Sequence, residues 1–336
     1  MGTIKLVSWN ICDLGELTAK SLKAAQKKRK KAIISEIKQL APDILCILEG
    51  PKGEEGIDKI SKTWLRNVWV PVKAADHEYA TLGEQWIWFL VRKKIAKKAS
   101  LLPVATWDSF AGASWKVHLW GEFTEDPHEH YRHPQVLVLD WNGTRVEFVG
   151  LHLKSKFIND GQAMWKSEGA KKEEFIRESL TARVKMTTEA SNVRAYIDAK
   201  FDQTEKPAIF VLGDLNDGPG KEYFEENYLF FDLLSNLQGD VFFARKFLNH
   251  ALFDFSDELR WSTQFSDFVD PARNPHILLD HILFTQSLVD DSLPLQVEAH
   301  AGKVEHEIHD LINAQLHGSE KTSDHKPVSL TITTKD

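Results

Sequence analysis

Residues with oxygen and imidazole side chains fall repeatedly at the ends of apolar runs. Asn10 closes Ile4–Trp9, Glu49 follows Asp43–Leu48, and His152 follows Val149-Gly150-Leu151. Asp214 and Asn216 follow Ile209–Leu212, Asp280-His281 interrupts Leu278–Phe284, and Ser323-Asp324-His325 precedes Pro327–Thr333. Strand ends are rigid mounts, and catalysis needs reacting groups held to fractions of an ångström. Several carboxylates plus an Asn amide are hard oxygen donors, which suit Mg²⁺ or Mn²⁺ better than Zn²⁺. Two histidines beside acids offer oriented acid/base groups, and no thiolate nucleophile is needed. One Asn or Asp after a strand is usually a turn former. What carries weight is the joint occurrence along one chain.

The elements that must hold these groups are legible from pattern. Lys20–Leu40 reads as a helix, with Ile33, Ile34, Ile37 and Leu40 at i, i+1, i+4, i+7, ended by Pro42. Asp43–Leu48 is continuously apolar, as expected of a strand buried on both faces. Gln85–Arg92 is aromatic and β-rich; Gln135–Asp140 and Arg145–Leu151 flank Asn142-Gly143, a hairpin signal. Residues 160–200 read as helix, with Ala182, Met186, Ala190, Val193 and Ile197 forming a stripe. Pro207–Leu212, Leu278–Phe284 and Pro327–Thr333 complete the strands. Residues 100–133 and 235–276 read as long surface loops. No Gly/Ser/Pro linker divides the chain, so residues 1–336 are expected to form one α/β domain. Its sheet is expected to be mixed or mainly antiparallel and packed by helices.

Composition bounds the function. The 336 residues are 42% hydrophobic and 27% charged, ordinary for a globular protein with a sizeable core. A net charge of −7 argues against a protein that coats nucleic acid by bulk positive charge. Binding a polyanion would need a local basic patch or a metal ion. Two cysteines, Cys12 and Cys46, exclude a disulfide framework and suit a reducing compartment. The first residues lack the pattern of a signal peptide, and no window holds the roughly 18 uninterrupted apolar residues of a membrane span. A soluble, cytoplasmic protein with no membrane association and no obligate protein partner is expected.

In their local frames the strand-end residues resemble the endonuclease/exonuclease/phosphatase superfamily, the group that includes pancreatic deoxyribonuclease. The matching segments are Val7-Ser8-Trp9-Asn10, Pro42-Asp43-Ile44-Leu45 through Leu48-Glu49, and Leu151-His152-Leu153-Lys154-Ser155-Lys156. They continue with Leu212-Gly213-Asp214-Leu215-Asn216-Asp217, Leu279-Asp280-His281-Ile282-Leu283 and Ser323-Asp324-His325-Lys326-Pro327-Val328. All six occur in family order over nearly the whole chain. The resemblance implies a four-layer α/β sandwich, two mainly antiparallel β-sheets flanked by helices, and metal-dependent phosphoester hydrolysis by an activated water. It places Asn10, Glu49 and Asp324 at the metal, with Mg²⁺ the expected ion and Mn²⁺ the alternative. It gives Asp214 and Asn216 the task of orienting the water and the scissile phosphate. His325 would be the catalytic histidine held by Asp280, and His152 the second histidine. Glu84 sits where deoxyribonuclease-like members place an acid paired with the His152 equivalent. Arg132-His133-Pro134 resembles an Arg-x-Pro whose Arg binds phosphate. Lys154 and Lys156 would stand beside the mouth, within reach of a polyphosphate backbone.

There are departures. Cys12 stands where many nucleolytic members have Asp or Arg, Leu48 replaces the usual Gln before the metal-binding Glu, and tyrosines that some members place in the cleft are not evident. Residues 95–128 and most of 220–270, where the family encodes substrate choice, match nothing. Lys27–Lys31 reads as the solvated face of the first helix. His118, His128, His130 and His133 lack a zinc spacing. Three functions follow. The first is a nuclease acting on DNA, or RNA. The second is a phosphatase or phosphodiesterase of inositol phosphates, sphingolipids or nucleotides. The third, more remote, is a catalytically silent binding module.

Overall fold

The strand Ile44–Gly50 is buried on both faces, and that sorts the chain into layers. Ile44, Cys46 and Leu48 face one apolar cluster, while Leu45 and Ile47 face another. The computed structural model describes residues 2–112, 114–119 and 124–335. One sheet runs in the order Leu295–Gln296, Val328–Thr334, Gly2–Asn10, Ile44–Gly50, Trp86–Arg92, Trp69–Pro71. The other runs Leu248–His250, Asp280–Thr285, Ala208–Asp214, Thr144–His152, Gln135–Trp141, Ala99–Leu101. Each sheet has one parallel pair, Gly2–Asn10 with Ile44–Gly50 and Thr144–His152 with Ala208–Asp214; the other pairs of these sheets are antiparallel.

Between the sheets lie Leu6, Phe89, Leu137, Phe148, Phe210 and Ile282. The rings of Phe148 and Phe210 stack at 5.0 Å. Outside the first sheet, Ile33, Ile37 and Leu40 of the helix Ala24–Leu40 pack on Val7, Trp9 and Trp88. That helix starts at Ala24 instead of Lys20, because the Gln26 side chain accepts the Lys23 N–H at 3.0 Å and caps it there. Outside the second sheet, the helix Ala170–Gln203 buries the whole expected stripe, Ala182, Met186, Ala190, Val193 and Ile197. The result is a four-layer α/β sandwich. Burying both faces of two sheets gives each strand about 1.5–3 kcal/mol per fully buried apolar side chain, which overrides the mixed propensity of runs such as Trp86–Arg92.

The Asn142-Gly143 turn closes as expected, with both residues at positive φ (51° and 78°), the twist a two-residue hairpin requires. Residues 100–133 are not simply a surface loop. Trp107 is buried and stacks on Tyr196 at 4.7 Å, and Trp115–Leu119 pairs with Thr124–His128 as a hairpin. Burial of these aromatics, not periodicity, organises the segment. Of the four histidines without zinc spacing, His118 has a side chain outside the described residues.

A chain of two neutral histidines braces the second sheet behind Asp280. The Leu252 N–H donates to His250 Nδ1 (3.0 Å), so the proton of His250 sits on Nε2, which meets His281 Nδ1 at 2.9 Å. His281 Nε2 then donates to the Asp217 carbonyl at 2.8 Å. Burial, the first cause for both, holds the two rings below the usual imidazole range. A histidine depressed in the folded state contributes stability that is present above the unfolded value, about 6.5, and is lost as pH falls below it. Glutamine at 250 retains a donor and an acceptor but does not titrate. Wild type is therefore expected to lose on the order of 1.4 kcal/mol relative to His250→Gln for each pH unit below about 6.5. Urea midpoints at pH 7 and pH 5 measure this, and parallel pH profiles for the two proteins would rule the account out.

Candidate active site

Strand register brings the polar ends together. Asn10 lies opposite Leu48 in the parallel pair, so Asn10 and Glu49 end neighbouring strands of one sheet. In the other sheet His152 lies opposite Asp214, and Asp214 opposite Asp280, placing three of the expected residues on one rung. The Asn10 amide spans the two sheets, donating to Glu49 Oε1 at 3.2 Å and to Asp214 Oδ2 at 3.1 Å. Asp214 Oδ2 is the hub. His152 Nε2 lies 3.6 Å from it and His325 Nε2 3.9 Å. His325 Nδ1 is held by Asp280 Oδ2 at 2.7 Å.

Local backbone geometry fixes these groups. Glu49 sits at a register shift between Ile47 and Gly50 and has φ 55°; Asn216 has φ 52°. Left-handed backbone is uncommon outside glycine, and here it aims two of the expected site residues. Asn216 N–H donates to Asp214 Oδ1 (2.8 Å) and its Nδ2 to the Leu153 carbonyl (3.0 Å), tying the loop after Asp214 to the residue after His152. Ser323 Oγ donates to the Asn10 carbonyl at 2.7 Å and accepts the His325 N–H at 3.1 Å. The Trp9 indole donates to the His325 carbonyl at 3.0 Å. Asp324 is exposed beside this turn, and its carbonyl accepts from Thr263 Oγ1 at 3.1 Å.

The two histidines are in opposite charge states. Burial alone would depress His325, but Asp280 and Asp214 outweigh it and raise it to about 10, so it is an imidazolium at neutral pH. Burial, then the nearby Arg132 and His325 charges, push His152 well below its usual range, so it is neutral. Burial, with Asp280 adding, pushes Asp214 up to about 6, against the pull of His325, the Asn216 N–H and the Asn10 amide. Burial and the acids Asp324, Glu49 and Asp13 push the Cys12 thiol up to about 12, which removes it as a thiolate nucleophile.

Comparison with known proteins supplies the family. The model of the endonuclease/exonuclease/phosphatase family matches residues 7–325. The chain belongs to that family. Members of the endonuclease/exonuclease/phosphatase family are generally phosphoesterases that use a divalent metal. Among similar solved structures is humanized D. rerio TDP2 carrying 14 mutations, with TM-score 0.54, 13% identity and 99% of each chain covered. Another is TDP2 from C. elegans, with TM-score 0.51, 15% identity, and coverage of 99% of this chain and 75% of that one. At such identities the likeness concerns the fold alone. Curated protein sequences gave no match.

The residues present fit the family's divalent metal. Asn10 Oδ1 is buried without a hydrogen-bond partner, although the Nδ2 of the same amide is fully engaged. An orphaned buried oxygen costs about 1–3 kcal/mol, and a cation beside it would remove that cost. Cys12, Asp13 and Glu49 can also bring ligand atoms within 4.8 Å of one another. Apart from the neutral thiol, the donors are oxygens, the set that suits Mg²⁺ or Mn²⁺.

Several neighbours depart from expectation. The Glu84 carboxylate is largely exposed and pairs with Lys52 at 2.8 Å, not with His152, whose Nδ1 has no partner. The next residue, Gln85, occupies the junction instead. Its Nε2 donates to Glu49 Oε2 (2.6 Å) and Asp13 Oδ1 (3.0 Å), and its Oε1 accepts from Arg132 Nη2 (2.6 Å) and Nε (3.1 Å). An amide can face acids with one end and a guanidinium with the other; a carboxylate could not. Sequence reasoning missed Gln85 because a polar residue starting a strand carries no signal of its own. Lys156 does not stand free at the mouth: it is partly buried between Asp217 and Glu222, 2.6 Å from each. Lys154 remains beside Arg132, its ammonium on the Ser155 carbonyl at 3.0 Å. Arg29, within the supposedly solvated Lys27–Lys31 face, donates to the Cys12 carbonyl and to the Thr322 carbonyl at 3.2 Å, clamping two loops of the site.

Proposed function

We propose that this protein is a Mg²⁺- or Mn²⁺-dependent phosphodiester hydrolase, a nuclease acting on DNA first and RNA second, by activated-water attack. In this reading residues 1–336 form a single domain that works in the cytoplasm. The observation that carries it is the convergence on Asp214 Oδ2 of the Asn10 amide, neutral His152 and the His325 imidazolium locked by Asp280. A phosphodiester is an anion, and attack concentrates more charge on its equatorial oxygens. The His325 imidazolium is a fixed donor beside that charge and needs no reorganisation as it develops, while the Asn10 amide spends both of its N–H groups on Glu49 and Asp214 and holds those acids in place. Arg132 adds a guanidinium beside neutral His152. Asp214, ionised above about 6, accepts a proton from water, while the Asn216 N–H holds its second oxygen still. Asn10, Glu49 and Asp324 would hold the metal, which supplies charge neutralisation at the phosphate and a more acidic water.

Lipid substrates would call for an exposed apolar loop near the mouth, and the sequence offered none. Beside the mouth the exposed apolar side chains include the separate Leu82 and Tyr131, whereas the structure has a contiguous exposed apolar loop at Val241, Phe242 and Phe243, exposed by 66%, 92% and 67%. It lies at the other end of the sandwich. The chain leaving it pairs Leu248 with Thr285, five residues along the strand from Asp280, or about 17 Å. No helix among the described residues is long and apolar enough to cross a membrane.

Incubation with supercoiled plasmid, single-stranded DNA, RNA, a phosphoinositide and sphingomyelin, each with Mg²⁺, Mn²⁺ or EDTA, tests the proposal. Metal-dependent cleavage of nucleic acid is expected, with EDTA abolishing it. Turnover confined to a lipid or inositol phosphate would overturn the nuclease reading, and no turnover on any substrate would favour the binding-module reading.

A further inference from the structure

A cleft of about 640 Å³ opens beside the site, and its walls include Leu82, Tyr131, Arg132, Lys154, Ser155 and Lys185. It adjoins the site through Arg132, whose Nη1 reaches the Leu153 carbonyl (3.5 Å), one residue beyond His152. Two cations here make no direct ion pair among the described residues, although the Glu189 carboxylate, which accepts the Lys154 backbone N–H at 2.8 Å, attracts the Lys154 ammonium from further off. Arg132 is met by the neutral Gln85 amide, and the Lys154 ammonium by a backbone carbonyl. Lys154 is half-buried, and burial, its first cause, lowers it from the ordinary amine range. A half-buried cation without a contact ion pair is costly, and an incoming anion would reduce that cost. Lys185 pairs with Asp126 at 2.9 Å, and His128 with Glu189 at 2.9 Å. Among the described residues that line the cleft, Glu129 is the acid; Asp126 and Glu189 lie behind its walls.

Above the cations stand two apolar side chains, Tyr131 and Leu82, exposed by 48% and 52%. The Tyr131 ring rests against Gly83, where a β-carbon would lie 2.3 Å from it, so the glycine clears the space that lets the ring present its other face. The Leu82 N–H donates to the Tyr131 carbonyl at 3.1 Å, which holds the two together.

We propose that this cleft holds the nucleotide next to the scissile phosphate of a single-stranded nucleic acid, its base stacked on Tyr131 against Leu82 and its phosphate on Arg132 and Lys154. This rests on the nucleic-acid reading and narrows it. The cleft is of ordinary small-ligand size, while a duplex presents its bases paired inside and only its backbone outside. Stacking on an aromatic platform with cations along the backbone is indifferent to sequence and depends strongly on salt.

Fluorescence anisotropy of a labelled thymidine octanucleotide, titrated with the full chain in EDTA, measures binding without turnover. Tyr131→Ala is expected to raise Kd by about 5- to 100-fold and Tyr131→Phe to restore it, since phenylalanine keeps the ring. Lys154→Met is expected to lower the slope of log K against log salt by about 0.7. A Kd unmoved by Tyr131→Ala, or tighter binding of a duplex of the same length, would overturn the cleft assignment. If metal restores DNA cleavage in that case, the nuclease reading stands alone. If the octanucleotide binds in a Tyr131-dependent way but is never cleaved, the cleft stands and the nuclease reading falls.

Discussion

His325→Ala is expected to lower kcat by on the order of 10³-fold with little change in melting temperature. The imidazole is held by one strong charge-assisted bond, 2.7 Å from Nδ1 to Asp280 Oδ2, which leaves Nε2 facing Asp214 and the substrate space. Removing it deletes the one imidazolium of the site, and positioned acid/base groups are worth about 10²–10⁴ in rate. Asp280→Asn separates charge from bulk. Asp280 raises His325, so the amide should leave a ring that is neutral at pH 7 and free to change tautomer. Its kcat should fall at neutral pH and recover partly only as pH falls toward about 6, where the ring regains a proton while Asp214 is still ionised. Steady-state rates across pH, beside circular-dichroism melts, check both variants. Wild-type rates in His325→Ala would remove the assigned centre altogether.

Gly213→Ala is the second large effect, and it acts through the backbone. Gly213 has φ 142°, which side-chain-bearing residues rarely adopt, and an added β-carbon would lie 1.9 Å from the Leu151 carbonyl oxygen. Neither partner can yield cheaply. Gly213 lies opposite Leu151 in the parallel ladder and opposite His281 on its other side. Relief requires the ladder to open at the rung below His152, Asp214 and Asp280. A loss of about 3 kcal/mol or more is expected, with activity falling further than stability because the three side chains lose their register. Urea unfolding together with rates measured well below the melting temperature separates the two. A Gly213→Ala protein with wild-type stability and rate would mean that the close approach does not exist.

Much of this was legible beforehand, for physical reasons. Continuous apolar runs such as Asp43–Leu48 announced strands buried on both faces, and the stripe from Ala182 to Ile197 announced the helix that covers the second sheet. The buried strand-end residues were readable because burying an acid or imidazole after an apolar run needs a partner, and for Asn10, His152, Asp214, Asp280 and His325 a partner was another of these residues. Gln85 and Glu84 show where that logic stops. Which of two adjacent polar residues turns inward depends on the pleat of a strand whose first residue pattern cannot fix. Lys154 and Lys156 differ likewise: only the folded loop brings Asp217 and Glu222 to one lysine and leaves the other without a direct ion pair. Gly213 stood inside a readable motif, but its reason, the neighbouring carbonyl, is a tertiary contact. The hairpin after Trp107 gave no period because its strands are short and its packing is aromatic.

The Asn10 amide makes one further consequence plain. It is the side chain that touches an acid from each sheet, Glu49 from one and Asp214 from the other. The spacing of the two sheets is set elsewhere, by interleaved side chains such as the stacked Phe148 and Phe210. The reach of a single amide therefore converts the thickness of the hydrophobic core into the width of the oxygen-lined gap that a cation would fill. In this architecture core volume and ion affinity are not independent traits, and a methylene gained or lost among the phenylalanines is felt at the mouth.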